Sequence, residues 1–123
     1  MNDSKLIDSS VWIAYFFNGK CTEFIDSEEI LLLSTLSLFE IKKKLAKSKI
    51  EGSKIMKSME FIKKRSLVVP VSGHIAEKAV DLSLDNGLPI IDSVIYATSV
   101  LNNATLITLD NDFRGLKNVI IVK

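Results

Sequence analysis

Apolar positions in this chain follow two rhythms that alternate. Short apolar runs at residues 5–7, 30–33, 67–71, 105–109 and 119–122 predict strands. Between them the spacing turns helical. Residues 9–17 open on serine and stop before Asn18-Gly19. Residues 34–48 carry Leu38, Ile41 and Leu45 on one stripe, and residues 53–64 follow Gly52. Residues 72–85 start on an N-cap serine, keep Ile75, Ala79 and Leu82 in register and end at Asn86-Gly87. Residues 90–101 follow Pro89. Strands separated by helices of this length predict a parallel sheet wrapped by helices, an α/β layer fold. No repeat or linker interrupts the pattern, and 123 residues suit a single domain over residues 1–123.

Two of the apolar runs end on bare carboxylates. "KLIDSS" places Asp8 directly after Leu6 and Ile7, and "LITLDNDF" ends in Asp110 and Asp112. In parallel sheets, ligands bind outside the carboxyl ends of the strands near a topological switch point, so these two ends mark a candidate site. Asp92, early in "PIIDSVIYATSVL", shares a helical face with Ile95, Tyr96 and Ser99. An acid on a partly apolar face is costly unless paired or metal-bound, although an acid at a helix start also serves the helix dipole. Glu40 shares its face with Leu36, Lys43, Lys44 and Lys47. Alone it reads as a surface acid paired with Lys44, worth a few tenths of a kcal/mol. The plain alternatives for the others are an N-cap at Asp8, a job Ser9 can also do, and a polar turn at Asp110 and Asp112.

Taken together the acids say more. Several carboxylates at one sheet edge, without Cys or His, repel each other and have raised pKa values unless a cation joins them. Oxygen-only donors suit Mg²⁺ or Mn²⁺. Such ions bridge phosphate oxygens and activate water in phosphodiester cleavage. Metal-assisted hydrolysis of nucleic acid is the chemistry this pattern predicts.

Charge supports that reading. The net +1 conceals a basic block over residues 42–65, with ten Lys/Arg against two acids, Glu51 and Glu60, inside an acidic remainder. A basic segment beside an acidic pocket is a polyanion footprint as well as a solvated helix pair. Lys43, Lys44 and Lys47 are the candidates for holding a nucleic-acid backbone, and "FIKKR" is a weaker one. One cysteine, Cys21, makes no internal disulfide and reads as a small structural residue; His74, the only histidine, reads as a helix-start residue. Trp12, Tyr15, Phe16 and Phe17 crowd one helix and read first as core, second as a partner or dimer surface. The polar opening "MNDSKLID" has no signal-peptide core, and no apolar run approaches the roughly 20 residues of a membrane span. A reducing, cytoplasmic setting is expected.

These motifs resemble the PIN-domain ribonucleases, in particular the VapC-type toxins of prokaryotic toxin–antitoxin pairs. "LIDSSVWIAYF" resembles the opening strand, acid and helix; "STLSLFEIKKKL" resembles the next acidic helix; "LPIIDSVIYATSVLNNATLITLDNDFRGL" resembles the late helix–strand–acid segment. The resemblance assigns the catalytic acids to Asp8, Glu40, Asp92 and Asp110, with Asp8, Asp92 and Asp110 as metal ligands. Ser9, Thr108 and Asp112 match supporting positions. It implies a Rossmann-like three-layer sandwich on a mainly parallel five-stranded sheet, Mg²⁺ or Mn²⁺ dependence, an RNA substrate, a homodimer and a small cognate antitoxin.

Other classes fare worse. A receiver-type module needs a phosphoacceptor Asp on its third strand, and "LVVPVSG" has none. A phosphatase needs a second Asp at position 10, which is serine. A catalytically silent PIN-like module binding RNA or protein is the remaining alternative.

Overall fold

The computed structural model describes residues 4–123, so residues 1–3 of the polar opening lie outside the described residues. Five strands form one sheet: β1 (Lys5–Ile7), β2 (Leu31–Ser34), β3 (Ser66–Val69), β4 (Thr105–Thr108) and β5 (Val119–Ile121). Their spatial order is β3-β2-β1-β4-β5, and every neighbouring pair is parallel. The helices are α1 (Ser9–Asn18), α2 (Thr22–Ile25), α3 (Thr35–Lys47), α4 (Gly52–Arg65), α5 (Gly73–Asn86) and α6 (Ile90–Leu101). This is the helix-wrapped parallel sheet that the alternation predicts, in the three-layer sandwich that the resemblance implies.

Neighbouring residues in the central strands serve opposite layers, as the pleat requires. Ile7, Leu31, Leu33 and Ile107 join Val11, Trp12, Ile41 and Ile62 on one face. Leu6, Leu32 and Leu106 join Ile95, Tyr96 and Phe113 on the other. A strand covered on both faces reads as a continuous apolar run rather than an alternating one, which is why "LLLS" is buried throughout. Each of these large side chains stabilises the fold by about 1.5–3 kcal/mol on burial. Trp12 is fully buried while Phe17 is exposed, so the aromatic helix splits between core and surface.

Boundaries depart from the sequence reading where a local hydrogen bond or a proline intervenes. β3 stops at Val69 rather than residue 71 because Pro70 has no N–H for the ladder. β4 stops at Thr108 because the Leu109 N–H turns to Ser10 Oγ. Ser34 ends β2 and caps α3, accepting from Leu36 N at 3.2 Å. α1 ends where Gly19, at φ 64°, takes the left-handed turn. The four-residue α2 was not expected; one turn is too short to show a period.

Candidate active site

The chain builds β1, β2 and β3 outward in one direction, then returns to add β4 and β5 on the other side of β1. The reversal opens a crevice at the carboxyl ends of β1 and β4. Asp8 follows β1 there, and Asp110 follows β4 closely.

Asp8 is 7% exposed. Its backbone stands at the N-cap of α1, yet its side chain makes no capping bond. Instead Oδ2 accepts from Ser10 Oγ at 2.7 Å and from Thr108 Oγ1 at 2.8 Å. Thr108 is buried and also receives Asp110 N at 3.0 Å. Ser10 was not singled out in the sequence. Its Oγ ties Asp8 to Leu109 N, 3.1 Å away, and so joins the two strand ends. The signal available was an Asp followed two residues on by a hydroxyl, a common local pairing.

Asp110 Oδ1 accepts from Asp112 N at 2.9 Å and caps a 3-10 turn over Asn111–Phe113. The polar-turn reading of this segment therefore holds alongside the site reading. Asp92 sits in the first turn of α6, on the face of Ile95, Tyr96 and Ser99, all buried. Asp92, Asp110 and Asp112 each offer a carboxylate oxygen, and these lie within 4.8 Å of one another. The expected metal trio was Asp8, Asp92 and Asp110; the close trio has Asp112 in place of Asp8, whose Oδ2 already serves two hydroxyls.

Burial pushes the Asp92 carboxyl up to about 7, helped by the Asp110 charge, a proton-sharing contact with Asp112, and the charges of Asp112 and Asp8. A carboxyl so raised among like charges marks a candidate functional site. Three clustered oxygen donors under mutual repulsion fit a hard divalent cation of the Mg²⁺ or Mn²⁺ type.

Glu40 corrects one expectation. It does not pair with Lys44; Oε1 accepts from Ser9 Oγ at 3.1 Å, across from α3 to the start of α1. Burial raises its carboxyl, the Ser9 hydrogen bond opposes that, and the Asp8 charge adds to it. A cleft of about 360 Å³ holds Ser9 and Glu40 together with Lys43, Lys44 and Lys47. The three lysines nominated for a backbone are thus beside Glu40. Arg65 of "FIKKR" is committed elsewhere: Nε donates to Ile25 O and Nη2 to Ser27 O, both at 2.7 Å. His74 is exposed on α5, and Cys21 is buried at a left-handed turn before α2.

The PIN domain family model matches residues 5–119. No characterised protein matches the sequence significantly. Among solved structures, a toxin–antitoxin complex from Klebsiella pneumoniae aligns with 24% identity and TM-score 0.78, over 94% of this chain and 95% of that one. DNA-bound VapBC from Salmonella typhimurium aligns with 14% identity and TM-score 0.78, over 99% and 98%. VapC20 of Mycobacterium tuberculosis, a sarcin–ricin loop cleaving toxin, aligns with 14% identity and TM-score 0.73, over 97% and 98%. At these identities the likeness is one of fold.

Proposed function

The chain belongs to the PIN domain family, and we propose that it is a Mg²⁺- or Mn²⁺-dependent endoribonuclease, the toxin of a VapC-type toxin–antitoxin pair acting in the cytoplasm. The observation that carries this reading is the meeting of Asp92, Asp110 and Asp112 within 4.8 Å, with Asp92 pushed up to about 7. The neighbours lend support: one cleaves the sarcin–ricin loop, and another belongs to a toxin–antitoxin complex.

In this reading Asp92, Asp110 and Asp112 hold the ion, with Asp8 close enough for its charge to reach Asp92. When bound, a divalent ion supplies positive charge for the phosphate oxygens and lowers the pKa of a coordinated water. Ser10 and Thr108 hold Asp8 in one orientation, fixing its charge at the crevice. Glu40, with Oε1 held by Ser9 and its carboxyl raised by burial, is the group placed to accept a proton at its other oxygen. Lys43, Lys44 and Lys47 offset the repulsion between the acids and the incoming phosphates.

A second copy of the chain would cover the apolar face of α5 and α6, where Leu84 and Ile90 are 79% and 78% exposed. A small antitoxin would neutralise the enzyme by occupying the cleft. No described helix is long and apolar enough to cross a membrane. Incubating the purified protein with a panel of structured and single-stranded RNAs, with Mn²⁺ and with EDTA, tests the reading: cleavage with Mn²⁺ and none with EDTA is expected. Cutting that persists in EDTA, or no cutting of any RNA, contradicts it.

A further inference from the structure

α3 turns a large aromatic side chain outward next to Glu40. Phe39 is 63% exposed and belongs to none of the buried clusters. It lines the cleft that also holds Ser9, Glu40, Lys43, Lys44 and Lys47. The Lys43 ammonium lies over its ring, 5.6 Å from the centroid. At about 360 Å³ the cleft falls within the range of ligand-binding clefts, roughly 300–1,000 Å³. Apart from Lys43, one turn along α3, the ring joins no hydrophobic cluster among the described residues. A ring has two faces, and Lys43 lies over one of them.

We propose that Phe39 is a stacking platform for an unpaired nucleobase of the RNA, next to the phosphate that lies at the carboxylates. A single strand presents a phosphate and a flat base at every residue, and lysines around an aromatic ring match both at once. Charge decides for RNA over a protein partner: the cationic groups outnumber Glu40 in the cleft three to one, and the Asp8 charge reaches Glu40 at the cleft's edge. Stacking is indifferent to hydrogen-bonding edges, so the platform favours unpaired over duplex RNA rather than one base over another. The inference rests on the ribonuclease reading above.

The test measures binding in an Asp92→Asn background with Mg²⁺, so that cutting does not deplete the RNA. The probes are a short single-stranded RNA, the same RNA annealed to its complement, and inorganic polyphosphate, which has charge but no base. Phe39→Ala is expected to weaken single-strand binding by about 5- to 100-fold, leave polyphosphate binding unchanged and erase the preference over duplex. Phe39→Tyr is expected to restore the wild-type value. Unchanged single-strand affinity in Phe39→Ala overturns the inference and points to a protein occupant. Equal losses for RNA and polyphosphate overturn it too, since the ring would then act only through the helix. If the unmodified chain binds RNA in the Phe39-dependent way but cuts none with Mn²⁺, the platform stands and the ribonuclease reading falls.

Discussion

The Thr108 hydroxyl donates to Asp8 Oδ2 at 2.8 Å and ties together the ends of two adjacent strands. The same oxygen accepts Asp110 N at 3.0 Å, so one buried hydroxyl orders two acids of the crevice. Thr108→Val keeps the shape and removes the donor. It is expected to cost about 1–3 kcal/mol in denaturant unfolding, the usual penalty for stranding buried partners of a charged group. Thr108→Ser should recover most of that loss.

Asp92 carries a pH signature. Its ordinary value of 3.8 rises to about 7 in the fold. Between those values the folded chain holds a proton that the unfolded chain has released, so stability falls as pH rises through this window and stays lower above it. Asp92→Asn is therefore expected to melt higher than the unsubstituted protein at pH 8 without metal, with the advantage gone at pH 4. Thermal melts at the two pH values in EDTA check this. A variant that melts lower at pH 8 would show that the raised carboxyl carries no penalty.

The lysines of the cleft should register in salt dependence. Each phosphate neutralised on a single strand contributes about −0.7 to the slope of log affinity against log salt. Replacing Lys43, Lys44 and Lys47 together by Ala should flatten that slope by about 2 if all three engage phosphates. An unchanged slope places the RNA elsewhere.

The apolar face of α5 and α6 makes a prediction about assembly. Leu84 and Ile90 project from it, beside a cleft of about 310 Å³ lined by Ala76, Ala79 and Val94. Leu84→Glu is expected to shift the mass seen by light scattering from dimer to monomer without lowering the melting temperature of the monomer. A protein monomeric before substitution contradicts the dimer.

Much of the fold lay open in the apolar rhythm, because period-two and period-3.6 patterns are local properties of consecutive residues. Asp8 and Asp110 were legible for the same reason: each follows an apolar run directly. Ser10 was harder, since its role depends on which strands become neighbours; Ser9 was named by resemblance, but its partner Glu40 was not. Ser10 matters only because β4 lies beside β1, and strand order leaves no trace in a single chain. Glu40 shows the same limit. Its local partner Lys44 was visible at i+4, but the group that orients it, Ser9, arrives from α1. Asp112 joins Asp92 and Asp110 through a 3-10 turn only three residues long, too short to show a period in the sequence.

Carboxylates from α6 and from the turn after β4 stand close enough to seat one doubly charged ion. Calorimetric titration of the metal-free protein with Mn²⁺, beside Asp92→Asn, tests that seat directly. Saturable binding that Asp92→Asn weakens at least tenfold is the expected result. Equal Mn²⁺ affinity in the two proteins would contradict that seat.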